Sequence, residues 1–248
     1  MEKLRMEDIR GEKGFTLVEL AIVMVIIGLL IGGILKGQEM IANAQVTSTV
    51  AQAKALDAAT STFRDQYNAF PGDMATADTR LRDCDGSVTA ACDAGDGDGR
   101  VNITVGGVNA NNDEGGYFFN QLRVADLISG FDGTATDTFG TAFPAAPVGG
   151  GFMVGSSIEG ATGFDAANLR TGHYIVLTGQ IADVADDTGQ LTPSQAARID
   201  RKMDDGNPAT GSVVGDNTAD NCRAAATDTE YQEGSTDGVC NIAIRIQG

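Results

Sequence analysis

Residues 15–35 read FTLVELAIVMVIIGLLIGGIL, an apolar run of 21 residues interrupted only by Thr16 and Glu19. As a helix at roughly 1.5 Å per residue it is about 32 Å long, and a bilayer core is about 30 Å thick. The core helix of a soluble domain rarely runs this long without polar interruption, so the segment reads as a membrane span. The 14 residues before it, MEKLRMEDIRGEKG, carry four basic and four acidic groups and no apolar stretch. No small-x-small signal closes the apolar run, so this is not a secretory signal of the usual kind. A cut here falls before the run and leaves it on the mature chain.

The remaining composition narrows the function classes. Across 248 residues there are 34 acidic and 17 basic side chains, a net charge of -17. Removing the leader does not change that charge, because its acids and bases cancel. Nucleic acid is not expected as a partner, because it needs a basic surface. The single histidine, His173, sits in an apolar segment, and no serine has a G-x-S-x-G context. No Walker loop is present either, so the chain is not expected to be an enzyme.

Lys13-Gly14-Phe15-Thr16-Leu17-Val18-Glu19 resembles the processing site of type IV prepilins and type II secretion pseudopilins. The resemblance implies cleavage between Gly14 and Phe15 by a membrane prepilin peptidase, followed by N-methylation of Phe15. Glu19 is then the fifth mature residue, where the family places its glutamate. A carboxylate inside an apolar span is costly and usually has a partner. The resemblance implies that in a filament a neighbour's Phe15 α-amine supplies that charge and sets register; before assembly, a position near the headgroup boundary suffices. Lys36 stands where many members carry proline, while Gly28, Gly32 and Gly33 are each about 1 kcal/mol weaker than alanine in a helix.

Beyond the span the helical pattern continues. Val46, Val50, Ala53, Leu56, Phe63 and Tyr67 recur at steps of three, four or seven, with a slip near Ala59 and Thr60. Pro71 is expected to end the helix, which then spans Phe15 to about Tyr67, and Phe70-Pro71-Gly72-Asp73 is expected to form a turn. Residues 72–116 read as a long loop. Residues 117–128 read as a helix with Gly130 as its C-cap. A strand is expected at 173–178, a possible one at 152–154 and another at 241–246. Thr192-Pro193-Ser194-Gln195 has the form of a capping-box helix start, with the helix ending near Met203. The family resemblance implies an α+β class: a long N-terminal helix, membrane-spanning in its first half, packed on a small antiparallel sheet with long loops. The divisions expected are a leader (1–14), a membrane or filament-core helix (15–35), an amphipathic second half (36–70) and a globular head (71–248). A looser resemblance to large pilin-like proteins rests on Phe70-Pro71-Gly72-Asp73, on residues 117–122 (YFFNQL), and on Leu191-Thr192-Pro193 with Asp204-Asp205-Gly206.

Cys84, Cys92, Cys222 and Cys240 lack C-x-x-C spacing, which disfavours zinc or a redox dithiol. An oxidising compartment favours disulfides. Three pairings are possible; Cys84–Cys92 with Cys222–Cys240 is the expected one, the second resembling the C-terminal staple of many pilins. Asp93-Ala94-Gly95-Asp96-Gly97-Asp98-Gly99-Arg100 resembles a calcium loop, with Asp93, Asp96 and Asp98 as candidate ligands. The match is incomplete, since Ala94 and Val105 fall at the end positions if Gly99 is the sixth-position glycine. The alternative is a solvated acidic turn, and no other cofactor is expected.

The resemblance implies a structural subunit of a type IV pilus or pilus-like filament used for adhesion, motility or DNA uptake. A type II secretion pseudopilin is the alternative, and a non-polymerising membrane-anchored binding protein is a third reading. The implied partners are identical subunits in a helical filament, prepilin peptidase and inner-membrane assembly machinery. The implied location is the bacterial inner membrane as a single-pass protein, then an extracellular pilus or periplasmic pseudopilus.

Overall fold

The computed structural model describes residues 14–84, 92–133, 137–185, 187–217, 222–223, 225, 228–236 and 240–246. In chain order the elements are α1 (Leu17–Tyr67), α2 (Ala77–Arg80), β1 (Thr104–Val105), α3 (Glu114–Val124), β2 (Gly151–Ala161), β3 (His173–Thr178), α4 (Pro193–Met203), β4 (Val213–Gly215) and β5 (Ile242–Ile246). The chain divides into two compact units, Met1–Asn43 and Ala44–Gly248. The described part of the first is the beginning of α1, and its large apolar side chains are exposed, Phe15 and Leu17 at 84%.

In the second unit the rest of α1 buries one stripe: Val46, Thr49, Val50, Ala53, Leu56, Ala59, Thr60 and Phe63. The slip in the apolar pattern falls where Ala59 and Thr60 are both buried. Thr60 is tolerated because its hydroxyl donates to the Leu56 carbonyl at 2.8 Å, and Thr49 donates likewise to Gln45 at 2.9 Å. The helix stops where expected, short of Pro71. It ends at Tyr67, because Asn68 takes a left-handed conformation (φ 53°) and its amide bonds the Arg64 carbonyl at 2.8 Å.

The sheet order is β1-β2-β3-β5-β4. The expected antiparallel sheet is therefore mixed: β2–β3, β3–β5 and β5–β4 are antiparallel, but β1 joins β2 in parallel. One cross-strand row is Val154–Ile175–Ile244–Val213, and the adjacent row is Met153–Val176–Ala243–Val214. Strand alternation sends these rows to opposite faces. The first row joins the main core with α1, α3 and α4 residues such as Phe63, Phe118, Leu122 and Ile199. The second joins a smaller core with Val105, Phe164, Tyr174 and Val184. Both faces are thus covered, which is why β3 is apolar at nearly every position.

Several expected boundaries shift. The strand at 152–154 is the start of an eleven-residue β2. The helix expected over 117–128 begins at Glu114, where the N-cap Asp113 accepts the Gly116 amide. It closes at Val124 through left-handed Asp126 (φ 58°) and a Leu127-to-Leu122 bond of 3.0 Å, rather than at Gly130. Residues 72–116 hold α2, β1 and the first turn of α3 along with irregular chain. In α4 both arms of the capping box form, Thr192 with Gln195.

Phe70-Pro71-Gly72-Asp73 is a turn: the Asp73 amide bonds the Phe70 carbonyl at 3.2 Å, and Gly72 has φ 88°. The Gly72 amide donates to Gln121 Oε1 at 2.8 Å, and Gln121 Nε2 donates to the Asp93 carbonyl at 2.9 Å. A Cβ on Gly72 would collide with the Glu114 carbonyl and meet Phe118 Cα at 3.1 Å. Glycine at this turn is what lets α3 pack against the turn.

Candidate functional site

The start of α1 is built by Thr16 and Glu19. Thr16 precedes the first helical residue, Leu17, and Glu19 is three positions further on. Glu19 Oε2 accepts from the Thr16 amide and from Thr16 Oγ1, both at 2.8 Å, and the Glu19 amide points back to Thr16 Oγ1 at 3.3 Å. This reciprocal pattern is a capping box: it satisfies amides that a helix start leaves without intrahelical acceptors. Gly14 and Phe15 lie just outside it and are exposed; the rest of the leader lies outside the described residues. The T-x-x-E signature of this box is local and legible in the sequence itself.

From Leu17 onward the helix is long and apolar enough to cross a membrane, and no residue of its most apolar stretch is buried within the chain. That surface extends to Met40 and Ile41, 65% and 61% exposed. The first charges on the helix after Glu19 are Lys36 and Glu39, paired at 2.8 Å.

In the second unit, the glycine-rich acidic loop is arranged around an acid from outside it. Asp73 Oδ1 accepts the amides of Gly97 (2.8 Å) and Asp98 (3.0 Å), and Oδ2 accepts the Gly99 amide at 2.8 Å. Successive amides turned onto one anion form a nest. The alternating glycines let the backbone close round a carboxylate, with Gly97 and Gly99 at φ 80° and 95°. Burial raises the Asp73 carboxyl above its ordinary value despite these bonds, and the neighbouring Asp96 carboxylate adds to the rise.

The three candidate calcium ligands separate. Asp96 is drawn towards Asp73 and Glu114, whose carboxylate oxygens lie within 4.8 Å of one another and of its own. Asp93 instead accepts its neighbour's amide, Ala94, at 2.8 Å. Asp98 accepts the Arg100 amide at 3.1 Å and pairs with its guanidinium at 2.7 Å. Glu114 is itself occupied, accepting the amides of Asp96 (3.1 Å) and Asn102 (2.7 Å). Neither Asp73 nor Glu114 was a sequence candidate, because each is about twenty residues from the loop it serves.

The four cysteines form two disulfides, Cys84–Cys92 and Cys222–Cys240. The second closes a loop whose Tyr231 donates to buried Asp200 at 3.0 Å and whose Glu233 pairs with Arg201, both on α4. Burial raises the Asp200 carboxyl to about 6. The turn after α4 is held by its own acids: Asp204 accepts the Ser212 amide, and Asp205 accepts the Asn207 amide at 2.9 Å.

His173, at the start of β3, stacks on Phe70 with ring centroids 3.7 Å apart. Its Nε2 accepts the Val101 amide at 3.3 Å. Burial, with Arg64 nearby, lowers its pKa to about 4, so the ring is neutral at pH 7. Its contacts are those of a packed, hydrogen-bonded side chain.

Among known proteins, no curated sequence and no solved structure matches this chain. A family model described as the prokaryotic N-terminal methylation motif matches residues 9–35. The matched segment contains Gly14, Phe15, the Thr16–Glu19 box and the apolar start of α1. Residues 9–35 therefore carry the signature of type IV pilins and pseudopilins.

Proposed function

We propose that this chain is a structural subunit of a type IV pilus or pilus-like extracellular filament. The observation that carries the reading is the methylation motif on an α1 whose apolar side chains from Leu17 to Ile41 are exposed. Such a surface is insoluble in water. Its two favourable environments are lipid and the matching surfaces of identical helices. Before assembly the subunit spans the bacterial inner membrane once, with its head outside. Prepilin peptidase cuts between Gly14 and Phe15, the Phe15 amine is methylated, and inner-membrane machinery draws the subunit into the filament. In the filament, the Glu19 carboxylate meets the Phe15 amine of a neighbour. Glu19 Oε2 is engaged by Thr16, which leaves Oε1 for that contact.

The role is structural rather than catalytic, and His173 serves packing. The acidity of the mature chain keeps assembled fibres soluble. Calcium, if it binds at the glycine-rich loop, is held by Asp96 together with Asp73 and Glu114 rather than by Asp93 and Asp98.

Intact-mass spectrometry of material sheared from the cell surface tests this reading. The expected mass starts at Phe15, with one added methyl and four hydrogens fewer for two disulfides. Mature protein found only in the membrane fraction would reassign the chain as a type II secretion pseudopilin. A chain that retains Met1 would leave a membrane-anchored binding protein.

A further inference from the structure

Six Asp–Gly bonds occur in the chain, and four of them, at Asp96, Asp98, Asp132 and Asp205, lie among the described residues. An Asp–Gly pair is open to attack on itself. The glycine amide nitrogen adds to the side-chain carboxyl carbon of the preceding aspartate. The amide proton leaves, an N–C bond closes a five-membered succinimide, and the carboxyl hydroxyl departs as water. Addition of water at the ring's other carbonyl then leaves an isoaspartyl link, with the main chain rerouted through the side chain. A β-carbon on the second residue hinders this attack, and glycine has none.

Three of the four bonds share one geometry. Asp96, Asp98 and Asp205 are exposed, so burial does not shield them. The glycine after each has a left-handed φ, 80° at Gly97, 95° at Gly99 and 81° at Gly206, which is why glycine stands there. Each aspartate folds forward onto the amide two residues on: Asp96 Oδ1 accepts from Asp98 at 3.1 Å, Asp98 Oδ1 from Arg100 at 3.1 Å, and Asp205 Oδ1 from Asn207 at 2.9 Å. Each glycine amide is in turn given to a carboxylate from elsewhere in the chain. Gly97 and Gly99 donate to Asp73 at 2.8 Å, and Gly206 donates to Asp200 at 3.1 Å. These two acceptors are the buried acids, 3% and 0% exposed.

We infer that Asp73 and Asp200 protect these three Asp–Gly bonds from succinimide formation. Attack requires the reacting atoms to close to about 3–3.5 Å with the right alignment. The glycine nitrogen must therefore leave its acceptor, and the aspartate must leave the amide it holds. Breaking the first bond takes a donor from a buried carboxylate, which is costlier than losing an exposed bond. At Asp98 the carboxylate is further tied by Arg100 Nε at 2.7 Å. The turns demand glycine after aspartate, and the buried acids offset the chemical weakness that this creates. The protection concerns the second unit alone and is independent of processing and of filament assembly.

The experiment ages the full-length chain in detergent micelles at pH 7 and quantifies isoaspartate at each site by peptide mapping with electron-transfer fragmentation. In the folded protein, formation at Asp96, Asp98 and Asp205 is expected to be at least about tenfold slower than in the same chain unfolded in guanidinium chloride, the factor that one charge-assisted hydrogen bond supplies. Asp73→Ala is expected to release Asp96 and Asp98 by a similar factor and to leave Asp205 slow. Asp200→Ala is expected to do the reverse. Asp132, whose following glycine amide is held by the Thr141 carbonyl at 2.8 Å, is the reference site that neither variant changes. Equal rates in the folded and unfolded wild-type chain would overturn the inference without any variant. Acceleration of all four sites alike in either variant would assign the protection to the fold as a whole and overturn the role of the two acids. So would a variant that stays folded by circular dichroism and keeps its own sites slow.

Discussion

Thr16 and Glu19 close on each other at the start of α1: one carboxylate oxygen accepts both the amide and the hydroxyl of Thr16 at 2.8 Å. A single glutamate thus caps its own helix while lying where the proposed inter-subunit contact needs a charge. The two roles can be separated. Glu19→Gln retains an oxygen that can cap, since glutamine serves in capping boxes, but removes the charge. It is expected to be processed normally and to yield no fibres, as read by electron microscopy of sheared material. Fibres at wild-type levels would reduce Glu19 to a capping residue. Thr16→Ala loses the cap instead, at about 1 kcal/mol of helix stability, and is expected to lower fibre yield without abolishing it.

The amide nest around Asp73 makes the loop over residues 93–100 depend on an acid outside it. Asp73→Ala leaves the Gly97 and Gly99 amides without their acceptor, while the Asp98 amide keeps Asp96 Oδ1 at 3.1 Å, and lost charge-assisted bonds cost about 1.5–3 kcal/mol each before relaxation. The expected loss in urea denaturation is about 3 kcal/mol or more, against less than about 1 kcal/mol for Asp93→Asn, whose carboxylate accepts only the adjacent amide. Calcium titration supplies the complementary measurement. Because backbone amides already occupy Asp73 and Glu114, millimolar calcium is expected to leave the melting temperature unchanged; a rise abolished by Asp96→Asn would show that the ion competes successfully with the amides.

These residues also show what was legible in the sequence. β3 and α4 are legible because their signals are local: an unbroken apolar segment from Tyr174 to Leu177, and a Thr192–Gln195 capping box ahead of a periodic stretch; the α+β class is implied only by the family resemblance of the N-terminal segment. The start of α3 was hidden because Gly115 and Gly116 resemble loop residues. They are glycines for packing reasons, since a Cβ on Gly115 would sit 2.5 Å from Asn109 and one on Gly116 would sit 2.6 Å from Asn111 Cα. β1 has two residues and β4 three, too few for a periodic signal, and the parallel β1–β2 pairing depends on partners some fifty residues apart. By its sequence alone the glycine-rich loop is expected to turn its carboxylates towards a cation. In the fold its backbone amides turn towards Asp73, and nothing local to the loop signals that acid.

The Cys222–Cys240 loop brings Tyr231 and Glu233 onto α4. Opening it with a Cys222→Ser, Cys240→Ser pair is expected to cost about 3 kcal/mol on the chain-entropy account. The Arg201–Glu233 pair is surface-exposed and adds little, so Glu233→Gln is expected to change stability by less than about 0.5 kcal/mol. Equal losses in the two variants, measured by urea denaturation, would mean that the loop is held by its ion pair rather than by its covalent closure.

Two buried groups set opposite pH dependences in the second unit. Asp200 has a raised folded pKa of about 6 against an ordinary 3.8. Its contribution is fully present below the ordinary value and is lost as pH rises through about 6. His173 has a lowered folded pKa of about 4 against 6.5. Its contribution is present above pH 6.5 and is lost as pH falls through about 4. At about 1.4 kcal/mol per unit, each amounts to roughly 3 kcal/mol, so the two nearly cancel between pH 4 and 6.5. Removing either should expose the other. Asp200→Asn, which keeps an acceptor for Tyr231, is expected to make the protein steadily less stable on acidification across that window. His173→Gln, which keeps an acceptor for the Val101 amide, is expected to make it more stable as pH falls from 6.5 to 4. Melting temperatures at half-unit pH steps read both slopes, and parallel profiles for the two variants would show that neither group titrates in the folded protein as its surroundings require.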